Sequence, residues 1–200
     1  MIKEVSWPGV GNRPISSLFL RLTLALCLLL ALAGGGAGCT RKPALSLRIH
    51  LSSEPVSLDP ALAEDGASIR VLANVMEGLM GYDGAGTLVP CAALEVVSDS
   101  EMKNWRFRLR EGLTWSDGSP VSAADFVRAF EHARNPQTAS RLATLIEGIE
   151  SVVADGNSVV IRTQHPLPYL PALTSLSALF PRHVSGWGAL PIVNGPYQLS

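Results

Sequence analysis

Side chains able to do chemistry are few in this chain, and their spacing does not assemble them. The four histidines are His50, His132, His165 and His183, and none stands in an H-E-x-x-H, H-x-H or C-x-x-C frame. A helical or hairpin metal site needs ligands at such short repeats, so no metal-ligating set is assigned. Ser185-Gly186 lacks the leading glycine of a G-x-S-x-G nucleophile turn. Gly34–Gly38 is glycine-rich but leads into no helix that could cradle a phosphate. Aspartates and glutamates are scattered, and no two are singled out as an acid–base pair. Of the cysteines, Cys27 lies in an apolar run and Cys39 follows a small-residue stretch, which leaves Cys91 by itself. One leftover thiol makes neither a disulfide framework nor a metal site; a small buried apolar residue is the reading that fits. No catalytic residue, no metal and no cofactor is therefore assigned.

Composition narrows the partners. The chain has 200 residues and a formal net charge of −1, with no basic concentration to mark a nucleic-acid binder. Its N-terminus has the layout of a processing segment. Arg13 and Arg21 precede Leu22–Ala33, an apolar run of 12 residues that is short for a bilayer span and right for a signal h-region. Gly34 to Gly38 then leads to Cys39, and small residues directly before a cysteine resemble a bacterial lipoprotein cleavage box. Gly36 stands where that box usually has leucine. Residues 1–38 are expected to be a signal peptide, with Cys39 lipidated as the new N-terminus; ordinary signal cleavage and an uncleaved anchor are the alternatives. Removing 1–38 takes away Lys3, Glu4, Arg13 and Arg21, leaving 13 basic and 16 acidic residues and a net of −3.

The elements that would position any site follow from periodicity. In Trp105–Leu109, Trp105, Phe107 and Leu109 alternate with Arg106 and Arg108, the period of a half-buried strand. Asp117-Gly118-Ser119-Pro120 supplies turn chemistry: an aspartate that bonds its own backbone, a glycine free to take positive φ, and a proline with φ fixed. Ser122 and Asp125 stand as N-cap and N3 of a capping box, and Ala123, Phe126, Val127 and Phe130 share one helical face. Trp105, Phe107, Trp115, Phe126 and Phe130 are the expected core. Leu45–Leu51 alternates as a strand, Ala61–Ser68 reads as loop, and Ile69–Met80 as a helix ended by Gly78 and Gly81 with Met76 and Met80 inward. Tyr82–Thr87 is a hairpin turn. Thr138 or Ser140 would cap a helix over Arg141–Ile149; Val152–Ala154 and Val159–Ile161 flank a second hairpin turn; and Tyr169–Leu179 would continue a helix opened by proline. His132 reads as a surface or boundary residue.

Arg110 to Gly112, Trp115 to Pro120 and Ser122 to Phe126 fit L-R-x-G-x-x-W-S-D-G-x-P-x-[ST]-A-x-D-F in order and spacing. That run resembles the signature of the family 5 extracellular solute-binding proteins, which serve ABC importers. Glu54–Pro60 (E-P-V-S-L-D-P), Glu77-Gly78-Leu79 and Asn194–Leu199 (N-G-P-Y-Q-L, a strand opening in the family) are similar to further family passages. The tryptophan that usually follows the Pro90 region is absent. Asn135–Ser140 resembles the D-P-x-T-A-S segment of the oligopeptide-binding branch. The resemblance spans residues 45–200 and implies the first part of a longer protein.

It implies an α/β, periplasmic-binding-protein-like (class II) two-lobe fold, here incomplete. Residues 39–44 would be linker, 45–76 the first part of lobe I, 77–180 a small inserted domain, and 181–200 the return to lobe I. The implied function is capture of extracytoplasmic oligopeptides by a lipid-anchored monomer and their delivery to ABC transporter permease subunits, with no catalysis. A nickel complex or sugar on the same fold is the alternative, and a secreted enzyme the more remote one. By the resemblance, Glu64 and Gly66 fall where relatives lend groups to the ligand backbone, and Gly66 would admit a second backbone closely because it lacks Cβ. A solvated Glu-Asp-Gly turn is the plain alternative. Leu142 falls where relatives often carry an aromatic ring, so its pocket should be apolar and lack that ring's hydroxyl.

Overall fold

The computed structural model describes residues 48–188 and 191–199, so the expectations for Leu22–Ala33, Cys39 and the 39–44 linker lie outside the described residues. The elements run α1 (Gly66–Val75), β1 (Met80–Tyr82), β2 (Leu88–Pro90), β3 (Ala93–Ser98), β4 (Asn104–Leu109), α2 (Ala123–Arg134), β5 (Ile149–Asp155), β6 (Ser158–Thr163) and α3 (Leu170–Leu173). Short 3-10 turns cover Pro136–Thr138, Arg141–Ile146 and Ser177–Leu179.

The alternating segment is the middle of the sheet. β3, β4, β6 and β5 form one antiparallel sheet in that order, and β1 pairs with β2 as a separate hairpin. In β4, Trp105, Phe107 and Leu109 are buried and Arg106 and Arg108 exposed. Phe107 sits opposite Val96 on one side and Val159 on the other, and Trp105 opposite Ile161. The outward arginines pair with Asp155 at 2.7 Å and Glu95 at 3.1 Å. Those exposed pairs add little stability; the inward aromatic row dominates.

Across that row lies α2, and the W-S-D-G segment decides how it starts. Gly118 takes φ +87°, and the Asp117 carboxylate accepts the Ser119 N–H at 2.9 Å, closing the turn. Ser122 and Asp125 form the expected capping box, with the Ser122 N–H donating to Asp125 Oδ2 at 2.7 Å. Asp125 is buried, and the same oxygen also accepts the Trp115 indole N–H at 3.3 Å while Arg128 pairs with its other oxygen. One carboxylate therefore starts the helix and orients the tryptophan. Phe126 and Phe130 then pack toward Val152, Val159 and Ile161, and all five expected core aromatics are buried.

Several expectations are corrected. The first helix runs from Gly66 to Val75, not over Ile69–Met80, and residues 66–68 are helix rather than loop. It starts early because the Asp65 carboxylate accepts the N–H groups of Ala67 (3.1 Å) and Ser68 (2.9 Å), an N-cap the Glu-Asp-Gly run supplies. It stops early because residues 75–77 are held extended by a later segment. The Asn194 side chain accepts from Glu77 N–H (3.0 Å) and donates to Glu77 C=O (2.9 Å), while Gly195 N–H donates to Val75 C=O (2.9 Å). Gly78 and Gly81 are thus not helix stops but close approaches. A Cβ on Gly78 would lie 2.9 Å from the Thr174 carbonyl, and one on Gly81 2.6 Å from Cys91 Sγ. Cys91 itself is half-buried, not interior.

Arg48–Leu51 and Asn194–Leu199 are not strands: no ladder partner faces either among the described residues, and alternation without a partner does not make a sheet. Arg141–Ile149 is a 3-10 stretch ending at Ile146, with Ile149 opening β5. Ser140 occupies its N-cap position, but its hydroxyl donates to the Ala61 carbonyl instead of capping. The expected Tyr169–Leu179 helix is reduced to α3 and a 3-10 turn. There the Thr174 and Ser175 hydroxyls bond back to the carbonyls of Pro171 (2.8 Å) and Ala172 (2.7 Å), a local competition that weakens helix continuation.

Candidate functional site

Ser140's bond to Ala61 ties the 3-10 stretch after α2 to the loop before α1. That tether brings two sequence-distant candidates to one place. Glu64 and Leu142 line a cavity of about 390 Å³ together with Ala63, Ile69, Ala73, Arg141, Ser175, Leu176, Ser177 and Phe180. Ile69 and Ala73, four apart on α1, present its outer face, and Ile69 is 45% exposed. At the rim Glu64 and Arg141 approach to 3.5 Å, with both side chains more than a third exposed. The third candidate, Gly66, is the first residue of α1 and is exposed, but it does not line the cavity. A Cβ added there would meet nothing within 4 Å, so no protein backbone approaches it closely.

A regular helix over Ile69–Met80 would carry Ile69, Leu72, Ala73, Met76 and Met80 on one side. In α1 as packed, Ala67, Ser68, Leu72 and Val75 are buried, and Ile69 and Ala73 line the cavity instead. Leu176 and Phe180 arrive on the turn that replaces the expected long helix. Their only sequence signal was the Thr174-Ser175 pair that breaks helical continuation.

A polar cluster lies beside α2. His132 Nε2 is 2.8 Å from Asp59 Oδ2 and its Nδ1 3.2 Å from the Thr138 hydroxyl, while Arg182 reaches the same Asp59 oxygen at 3.4 Å. The Asp59 Oδ1 accepts the Ala61 N–H at 3.0 Å. The aspartate of the S-L-D-P passage thus gathers three segments, and His132 is the boundary residue expected. His183 touches Ser185 Oγ (2.6 Å) and approaches Asp117 Oδ2 at 3.5 Å. These are serine, histidine and aspartate side chains, yet both flanking contacts belong to turns. Asp117 is held by Ser119, whose hydroxyl and N–H keep its carboxyl below the ordinary value, and Ser185 N–H also donates to the imidazole. Among the described residues, no group of three histidine, cysteine or acidic side chains is placed to hold a metal, and no helix is long and apolar enough to cross a membrane.

The profile of "Bacterial extracellular solute-binding proteins, family 5 Middle" matches residues 60–200. The periplasmic murein peptide-binding protein MppA of Escherichia coli is 33% identical over an alignment 150 residues long that covers 66% of this chain and 28% of that protein. The oligopeptide-binding protein OppA of Bacillus subtilis is 28% identical over an alignment 185 residues long that covers 80% of this chain and 34% of its own length. Among solved structures, that of the Escherichia coli murein tripeptide-binding protein MppA superposes with TM-score 0.70 at 34% identity, covering 75% of this chain and 34% of the other. Haemophilus influenzae OppA in complex with RPPGFSPFR superposes with TM-score 0.64 at 31% identity, over 66% of this chain and 29% of that one. The chain thus spans about a third of the length of these relatives. On the matched residues and the shared fold, it belongs to the bacterial extracellular solute-binding proteins of family 5.

Proposed function

We propose that the protein captures oligopeptides outside the cytoplasmic membrane and delivers them to the permease of an ABC importer, without catalysing a reaction on them. Membership of a solute-binding family supports the first part, as do relatives named for oligopeptide and murein-peptide binding, one of them solved with a nonapeptide. The observation that carries the reading is the cavity itself, because folding brings Glu64 and Leu142 to one concave surface. Gly66 belongs to the proposal as the position where a ligand backbone passes the start of α1. A periplasmic or cell-surface location, a lipid anchor through Cys39 and a monomeric state complete it. So does the division into 45–76 and 181–200 as lobe I with 77–180 inserted.

The test uses the protein as its host produces it. Mass spectrometry under native conditions should find bound peptides, and Leu142→Asp should weaken a defined peptide at least about tenfold at unchanged Tm, since a carboxylate must then be desolvated beside the ligand. Gly66→Val should also weaken binding at unchanged Tm, because the structure leaves room for the new side chain but a passing ligand would not. If both variants bind as the parent does, the site lies elsewhere. For the anchor, labelled fatty acid should appear in the parent and vanish in Cys39→Ser; label retained in that variant would refute the assignment.

A further inference from the structure

We infer that the cavity between α1 and the 140s and 170s turns is a selective pocket for one uncharged apolar side chain of the ligand, of leucine or phenylalanine size; this rests on the peptide-capture reading. Its walls are Ala63, Ile69, Ala73, Leu142, Leu176 and Phe180. Its charged groups face each other, and one of its two lining serine hydroxyls is engaged. Ser175 spends its hydroxyl proton on the Ala172 carbonyl at 2.7 Å, and Glu64 and Arg141 face each other at 3.5 Å across the rim. A lysine or glutamate side chain entering would lose water and find no unpaired opposite charge, whereas a hydrocarbon side chain loses nothing and buries apolar area. At about 390 Å³ the space is near the lower end of the roughly 300–1,000 Å³ typical of ligand sites, ample for a leucine or phenylalanine side chain with its adjoining main chain and small for a whole peptide. Ile69 is 45% exposed with the cavity empty, and such a ligand group would cover it.

Two features make the pocket a specificity device and not a tolerant, water-filled one. Leu142 contributes no hydroxyl to hold a water chain, and the 170s turn places Leu176 and Phe180 opposite α1 instead of a continuous helix. Side-chain identity at one ligand position is therefore read, while the remaining positions contact other surfaces.

The experiment measures a tetrapeptide series in which one position is varied through Leu, Phe, Gly, Lys and Glu, repeated for each of the four positions. Calorimetry is run on the protein as its host produces it and on Ala73→Phe. The substituted ring occupies part of the cavity from an exposed helix position and leaves the core alone, which an unchanged Tm verifies. At one position, Leu and Phe should bind at least about tenfold tighter than Lys and Glu, and Ala73→Phe should erase that preference. Leu142→Ala, enlarging the same cavity, should shift preference from Leu toward Phe. Equal affinity for charged and apolar residues at every position, or a preference untouched by Ala73→Phe, overturns this inference and leaves peptide capture standing. Absence of binding to every peptide overturns both.

Discussion

Asp65 shows how one side chain can set an element boundary. Its carboxyl is held below the usual value of 3.8, first by the Ser68 hydroxyl and then by the Ser68 N–H, both of which favour the charged form. A depressed folded-state pKa contributes stability in full above the unfolded value and loses it as pH falls through the folded one. Asp65→Ala should therefore lower the urea midpoint at neutral pH. The gap to the parent should close as pH drops through 3.8 and below; a gap independent of pH would mean the carboxylate is not the cap. Gly195 makes a second residue-scale case. A Cβ there would lie 2.5 Å from the Val75 carbonyl carbon, a backbone atom that cannot swing away. Gly195→Ala is expected to cost about 1–3 kcal/mol in denaturant titrations, and a neutral result would mean that the 75–77 and 194–195 segments separate easily. Cys91 should alkylate slowly at mildly alkaline pH, because desolvation, and after it Glu77, raises its thiol pKa.

The unit of strand β4, the W-S-D-G turn and helix α2 is held at two points of different kind. Phe107 is fully buried between β3 and β6, so Phe107→Ala leaves a void on both sides and should cost about 3–5 kcal/mol. Asp125 stabilises by accepting: Ser122 N–H, Ser122 hydroxyl, Trp115 indole and Arg128 all point to it. Asp125→Ala strands the indole N–H in a buried place and should cost about 1–3 kcal/mol. Near-ultraviolet circular dichroism should report it as a changed Trp115 signal. Unfolding at parental stability with that signal intact would remove Asp125 from the account. Ser116 extends the unit's reach, its N–H donating to Val193 C=O at 2.7 Å and its hydroxyl accepting Val193 N–H at 3.2 Å. The motif is thus a joint as well as a turn.

For the whole molecule, one concave site of about 390 Å³ offers enough surface to desolvate a side chain but not a peptide backbone with both its ends. Residues 39–200 expressed alone are accordingly expected to bind tetrapeptides more weakly than micromolar in calorimetry. Micromolar or tighter binding by that segment would show that the cavity and its rim suffice. The Asp59 cluster bears on the same question. By joining His132 and Arg182 to the loop that leads to Glu64, it couples the placement of the cavity's rim to α2.

Local order was legible in the sequence wherever short-range physics decides it. The alternation in Trp105–Leu109 became β4, Asp117-Gly118 became a turn with positive φ, and Ser122 with Asp125 became the capping box. The signature around Trp115 also pointed to the family, because a turn, a cap and a buried indole must occur at fixed separations to meet on one carboxylate. The first helix was misplaced because its ends depend on partners that no local pattern reveals: a carboxylate at Asp65 that caps, and Asn194-Gly195 that clamps residues 75–77 from far along the chain. The alternation at Arg48–Leu51 produced no strand, since pairing requires a neighbour and alternation only permits one. Residue types and spacing carried no account of the cavity; only the resemblance named Glu64 and Leu142. Their meeting depends on a Ser140 bond that crosses the fold and on an α1 rotated to face Ile69 and Ala73 outward, and both are set by packing between segments remote in sequence.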